Sequence, residues 1–183
     1  TTDTVKFDNI DARLRRIVVG GRADGWLSYE QAYAVTAAGP FPTPTTVEDT
    51  MLIYFTSGTT SKPKLVEHSQ ISYAVGHFTT VAWIGVRPGD VHLAISAPGW
   101  AKHAWSCYFA PWIAEATIFV YNYRRFDGAG LLRQLQDKKV NTFCAPPTVW
   151  RMLIQADLGD RPAGLREVLG AGEPLNPDVI RKV

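Results

Sequence analysis

The sequence predicts an α/β fold: a layered, mostly parallel sheet with flanking helices. Three observations carry it. Short apolar β-type runs alternate with segments of helical period. Helix starts and stops fall between them, and strands alternating with helices at this spacing imply parallel β-α-β units. In order, Ile17-Val18-Val19 reads as a strand ending at Gly20-Gly21, and Trp26-Leu27-Ser28 leads into a short helix over 29–36. The run Gly39-Pro40-Phe41-Pro42-Thr43-Pro44 is a surface connection that divides the chain into 1–46, a linker-ended first part, and 47–183, the larger one. Met51 to Phe55 reads as a short buried strand, and Lys64 to Glu67 as a second. Ser69 caps a helix whose apolar face is Ile71, Ala74, Val75, Phe78, Val81 and Ala82, and Gly85 ends it. Arg87-Pro88-Gly89-Asp90 turns the chain into the strand Val91–Ile95. A helix around Trp105–Ile113, the strand Ala116–Tyr121, a helix capped by Asp127 and closed by Lys138 and Lys139, and the strand Val140–Ala145 come next. Pro147 opens a further helix, Leu165–Leu169 is the last strand, and Asn176-Pro177 starts a final helix of about two turns.

Bulk properties exclude several classes. With 183 residues, 46% of them hydrophobic, the chain can bury a core without staples. A net charge of +2 with only short cationic clusters does not suit nucleic acid. The longest uncharged stretch, from Ser69 up to Arg87, falls just short of the ~20 residues of a membrane span and contains His77. Cys107 and Cys144 have no metal-site spacing and read as buried reduced thiols, which points to the cytoplasm. The chain opens on Thr1 with no basic-then-apolar leader, so an internal piece of a longer protein is expected.

The chemistry concentrates in Tyr54-Phe55-Thr56-Ser57-Gly58-Thr59-Thr60-Ser61-Lys62-Pro63-Lys64. Hydroxyls at Thr56, Ser57, Thr59, Thr60 and Ser61 can donate to phosphate oxygens. Gly58 lets the backbone approach, and Lys64 supplies a compact positive charge. Charge-assisted bonds of this kind contribute about 1.5–3 kcal/mol each. A loop leaving the carboxyl end of a strand is also where open α/β sheets bind ligands. The same composition suits an ordinary loop, so the residue order decides. The Walker spacing is absent.

The order Thr-Ser-Gly-Thr-Thr-Ser-Lys-Pro-Lys resembles the phosphate loop of the acyl-adenylate-forming enzymes, Thr-Ser-Gly-Thr-Thr-Gly-x-Pro-Lys, in eight of nine positions with the variable one counted. Two further segments occur in the family's order. Ser96-Ala97-Pro98-Gly99-Trp100-Ala101-Lys102-His103 resembles the aromatic gate of acetyl-CoA and medium-chain acyl-CoA synthetases. Gly170-Ala171-Gly172-Glu173-Pro174 resembles the turn that lies against adenine. On the residues alone Trp100 equally suits a core, His103 a surface and Glu173 an exposed turn; His68, His77 and His92 stand singly and take no role.

The resemblance implies part of the N-terminal domain of an acyl-CoA synthetase; the alternative is a non-catalytic nucleotide-binding or degenerate interaction module on the same fold. Thr56, Ser57, Gly58, Thr59, Thr60 and Lys64 would hold the triphosphate, Trp100 and His103 would line the acyl and coenzyme A tunnel, and Gly170 to Pro174 would bear on adenine. It also implies ATP, Mg2+, coenzyme A and a small carboxylic acid as reactants. The family's magnesium-binding Glu, ribose-binding Asp and catalytic Lys segments are absent from these residues, so no catalytic residue is assigned and the chain alone is expected to be inactive. Ser61 stands where the family carries glycine. If that position needs positive φ, serine costs about 1–2 kcal/mol there. Ser61→Gly in the full-length protein is therefore expected to tighten ATP binding, and an unchanged dissociation constant in calorimetric titration defeats the idea.

Overall fold

The computed structural model describes residues 4–7, 9–11, 13–34, 39, 43–56 and 63–183. The chain forms two compact units, Thr1–Pro44 and Thr45–Val183. In the first, β1 (Ile17–Val18) pairs in parallel with β2 (Leu27–Ser28), which runs into α1 (Tyr29–Tyr33). The Arg16 guanidinium lies 5.4 Å from the Trp26 ring centroid, and Phe7 meets the same ring edge-on. The expected end of α1 falls on residues outside those described.

The second unit begins with β3 (Thr50–Thr56) and β4 (Lys64–Ser69), an antiparallel pair in the register Ile53↔Glu67 and Thr56↔Lys64. This corrects two expectations. The strand preceding the phosphate loop is largely exposed rather than buried, with Phe55 at 76%, and it belongs to a hairpin instead of the parallel sheet. The connection explains the pairing: the seven residues between Thr56 and Lys64 are too few for a crossover, which needs a dozen or more.

The helix α2 (Gln70–Ile84) starts where the sequence places it. Ser69 and Ser72 form a reciprocal capping box, Ser72 N–H donating to Ser69 Oγ at 3.2 Å and the Ser72 hydroxyl taking the Ser69 N–H at 2.9 Å. Gly85 closes it at φ 70°, a left-handed cap that glycine adopts at low cost. Its buried face is not the expected one. Tyr73, His77 and Ile84 are inside, whereas Ile71, Val75 and Phe78 face outward. Hydropathy ranks aliphatics above tyrosine and histidine, but here the aromatic partners of the neighbouring helix select Tyr73 and His77, one turn apart.

Beyond α2 lies the parallel sheet, ordered β6-β5-β7-β8. Its strands are β5 (Val91–Ala94), β6 (Thr117–Ile118), β7 (Thr142–Ala145) and β8 (Glu167–Gly170), all parallel to their neighbours. A π-helix (His103–Phe109) running into α3 (Ala110–Ile113) connects β5 to β6, in place of the plain α-helix that the sequence predicts. Between β6 and β7 lies α4 (Gly128–Asp137), and between β7 and β8 lies α5 (Pro147–Leu153). Asp127 holds the N-cap position of α4 but its side chain makes no cap bond; its carbonyl accepts from Leu131 N–H at 2.9 Å. The last helix, α6 (Pro177–Lys182), is capped by the Asn176 side chain, which accepts from Asp178 N–H at 2.7 Å.

Alternation along the strands sends side chains to opposite faces. On one face Leu93, Phe143 and Ala145 join Leu131, Leu135, Val149, Trp150 and Leu153 in the main core. On the other, His92 bonds the Thr142 hydroxyl of β7 and the Ser106 carbonyl of the π-helix, and the Ala94 carbonyl accepts from Cys107 S–H. The sheet is anchored at its amino edge by Asp90, whose carboxylate takes two bonds from Arg166 at 2.9 and 2.7 Å and the Arg87 N–H at 2.8 Å. Burial pushes the Asp90 carboxyl up, but Arg166 and the Arg87 amide outweigh it and hold the group below its ordinary value. Asp90→Asn is expected to lower the unfolding free energy by about 2–3 kcal/mol, since it leaves Arg166 without its counter-charge. Because the folded carboxyl titrates below the unfolded one, the difference between wild type and variant is full at neutral pH and shrinks as pH falls below about 4. Denaturant melts of both proteins across pH check the sign and the window.

Candidate active site at the carboxyl edge of the parallel sheet

From β5 the chain crosses to β6 on one side, and from β6 it returns to β7 on the other. The loops leaving β5 and β7 therefore diverge, and open sheets bind ligands in the crevice left between such loops. A cavity of about 580 Å³ opens there. Ile95, Ser96 and Ala97 line it after β5, Pro146, Pro147 and Thr148 after β7, and Ala171, Gly172 and Glu173 after β8. Trp100 and Lys102 complete the wall. The strand ends hold the two central loops together, with Ile95 N–H donating to Cys144 O at 2.8 Å.

The structure brings together Trp100, Ala171, Gly172 and Glu173 among the residues singled out by sequence. Trp100 is 71% exposed, a wide apolar face beside the opening. Gly172 has φ 114° and open space where a β-carbon would stand, so a side chain there would be strained and would enter that space. Gly170 differs: its missing β-carbon faces the Leu175 side chain at 3.4 Å, which fits close packing behind the turn. Glu173 pairs with Arg151 of α5 at 3.1 Å, both half-exposed. His103 and Pro174 do not line the cavity; His103 Nδ1 instead lies 2.8 Å from Ser96 O.

Of the phosphate-loop residues, Thr56 and Lys64 face each other as the last described pair of the hairpin. Ser57, Gly58, Thr59 and Thr60 lie outside the described residues. Pro146, Pro147 and Thr148 are wall residues that sequence reasoning misses, and Ser96 and Lys102, though inside the gate segment, are not singled out by it. A strand order would find them, because each comes after one of the strands flanking the crevice or stands on the helix crossing it. Lys102 turns its amine inward, beside the Cys144 thiol. Burial pushes the Cys107 thiol up to about 12 and raises Cys144 as well, so both are protonated and unsuited to nucleophilic work. No group of three or more His, Cys, Asp or Glu placed to hold a metal occurs among the described residues.

Behind the gate segment, His77 is wedged between Trp105 and Phe109, with ring centroids 4.2 and 4.7 Å away, and meets Tyr73 edge-on at 4.3 Å. Burial, with His68 adding to it, lowers the His77 pKa and keeps the ring neutral. Gly76 makes this packing possible, since a β-carbon there would overlap the Trp105 indole.

A parallel sheet with a ligand crevice at its switch point defines an α/β ligand-binding domain. The chain belongs to the AMP-binding enzyme family, whose pattern matches residues 3–183. It is 43% identical over 171 residues to the protein of Metallosphaera sedula named 4-hydroxybutyrate--CoA ligase 1, covering 92% of this chain and 30% of that one. It is 36% identical over 183 residues to the human protein named Acyl-coenzyme A synthetase ACSM4, mitochondrial, covering 98% of this chain and 31% of the relative. The chain thus spans under a third of the length of these relatives. An acyl-CoA synthetase of Brucella canis superimposes with a TM-score of 0.70 at 27% identity, over 92% of this chain and 32% of that one. The anthranilate CoA ligase AuaEII, solved with anthranoyl-AMP, superimposes with the same TM-score of 0.70 at 21% identity, over 92% and 33%, a likeness of fold.

Gly76→Ala is expected to destabilise the domain by about 1–3 kcal/mol through overpacking against Trp105. A blue shift or loss of structure in near-ultraviolet tryptophan circular dichroism should accompany it, and an unchanged melt would show that the overlap is relieved at no cost.

Proposed function

We propose that this chain supplies the phosphate loop, acyl wall and adenine turn of an ATP-dependent acyl-CoA synthetase. One observation carries the reading: the gate-like Trp100 and the adenine-type turn Ala171-Gly172-Glu173, about seventy residues apart, line one cavity at the switch point. The family match and the relatives named as CoA ligases support it.

In the first step a carboxylate oxygen attacks the α-phosphorus of ATP, the bond to the β-phosphate oxygen breaks, and acyl-AMP and pyrophosphate form. In the second the sulfur of coenzyme A attacks the acyl carbon, AMP departs, and the thiol proton is lost to give a thioester. The protein's task in the first step is to hold two anions in line and offset phosphate charge. Thr56, Ser57, Gly58, Thr59, Thr60 and Lys64 are assigned to the triphosphate, Trp100 and His103 to the acyl and coenzyme A tunnel, and Gly170, Ala171, Gly172, Glu173 and Pro174 to adenine. Mg2+ would accompany ATP and offset phosphate charge, and no residue of this chain is assigned to it.

The substrate is proposed to be a short or medium-chain monocarboxylic acid, which places the enzyme in fatty-acid metabolism. Apolar Ile95, Ala97 and Trp100 suit an aliphatic chain, and the relatives are named for 4-hydroxybutyrate and for acyl groups. A reducing compartment suits the two unpaired thiols, and the cytoplasm is the one proposed, although the human relative's name places that protein in mitochondria.

Acid-dependent exchange of pyrophosphate into ATP by the full-length protein tests the reading. Lys64→Ala is expected to lower exchange about 10²-fold by removing phosphate charge neutralisation. Trp100→Ala is expected to raise KM for the acid more than KM for ATP. Exchange that is absent from the wild type, or insensitive to Lys64→Ala, would overturn the assignment.

A further inference from the structure

The helix that carries the gate segment has a gap in its backbone hydrogen bonding. Within the π-helix His103–Phe109 bonds run five residues back, as Ala110 N–H to Trp105 O shows. The next bond in that register would join residue 111 to the Ser106 carbonyl. Residue 111 is proline and has no N–H to give. An α-helical register does not solve this, because it leaves the Cys107 carbonyl without the same donor. Ser106 is buried, so water does not stand in.

A side chain from the sheet fills the gap. His92 of β5 is 0% exposed, and its Nε2 lies 2.8 Å from Ser106 O. A carbonyl only accepts, so Nε2 carries the hydrogen. Its Nδ1 lies 2.6 Å from the Thr142 hydroxyl of β7, which donates to the neutral ring. Two further ties run along the same edge: Cys107 S–H donates to Ala94 O at 3.3 Å, and His103 Nδ1 lies 2.8 Å from Ser96 O. Residues 92, 94 and 96 alternate along β5 and its continuation, so one line of the strand grips the helix three times. The Ser106 hydroxyl extends the chain of bonds to Lys102 O at 2.8 Å, within the cavity wall.

We propose that His92 is a positioning residue for the acyl wall, its Nε2–H replacing the backbone donor that Pro111 lacks and holding the π-register that keeps Trp100 and Lys102 in the cavity wall. The inference rests on the acyl-CoA synthetase reading for the reaction it serves. The register matters because removing the one-residue π insertion turns the helix before it by about 100° relative to the helix after it. Losing the His92 bond therefore shifts the wall that meets the acid directly, and reaches the β3–β4 hairpin at one remove, through Trp105 against His68 and Tyr73.

The test uses the full-length protein with His92→Leu, Pro111→Ala and the double variant. His92→Leu is expected to raise KM for the acid about tenfold in pyrophosphate exchange, a misplacement effect, with KM for ATP changed less than about twofold. Pro111→Ala restores an N–H opposite Ser106, so the double variant is expected to recover the acid KM to within about threefold of wild type. A general loss of packing would not be repaired by a second substitution on the helix. If His92→Leu does not fold, Thr142→Val, which leaves the ring but frees Nδ1, is expected to raise the acid KM severalfold. Equal movement of both KM values, no movement, or no rescue by Pro111→Ala overturns the proposal. Amide hydrogen exchange over residues 103–112 without substrate separates the two readings. Faster exchange in His92→Leu that the double variant reverses supports the bond even if no acid drives pyrophosphate exchange, in which case only the synthetase reading falls; unchanged exchange rates there sink the bond itself.

Discussion

The pairing of β5 with β7 is the constraint on which the rest depends. It places two strands side by side whose outgoing segments leave in opposite directions, one to β6 and the other over α5 to β8. Divergence at that point opens a crevice without any residue being spent on making it, and the crossovers lay helices against both faces. Once the crevice exists, the residues placed after each strand become the wall of a site. The apolar and proline-rich loops, the indole of Trp100 and the glycine-bearing turn at 171–173 are in contact with one space because of topology, although sequence scatters them over nearly eighty residues.

The two faces of the sheet divide the labour. Leu93, Phe143 and Ala145 meet a core of leucine, valine and tryptophan, where area removed from water stabilises the fold at about 25 cal/mol per Å². The opposite face is polar at its centre, with His92 and Thr142 fully buried and bonded. Such a face contributes less by burial, but it has direction. Each bond is satisfied in one geometry only, so the helix above it is held in register as well as in contact. Direction is what a site needs from its scaffold, and the polar face lies under the segment that reaches the cavity.

Much of this is legible in the sequence. Ser69, Gly85, Pro147 and Asn176 mark helix ends by mechanisms that act within a few residues, and all four stand where expected. The motif residues Trp100 and 171–173 are also visible, since local order carries their resemblance. The information that escapes a linear reading is held between elements. The outward face of α2 cannot be read from hydropathy, because Tyr73 and His77 are selected by Trp105 and Phe109, some thirty residues on. The strands β3 and β4 pass for members of the parallel sheet on their apolar runs alone, although the short link between them already excludes a crossover. Pro146 and Thr148 need a strand order before they can be recognised as wall residues.

The π-helix shows how these levels meet. Pro111 lies inside the stretch 105–113 that the sequence reads as a plain helix, and His92 is a lone histidine that a sequence reading assigns no role. Neither is informative alone. Set together by the sheet, the Ser106 carbonyl that Pro111 leaves without a donor accepts from His92 Nε2–H, and the irregularity becomes a defined register instead of a break. Because the compensating group comes from β5, the geometry of the gate is tied to the strand that also borders the crevice. Wall and opening are thereby fixed to the same strand, so a displacement of one carries the other with it.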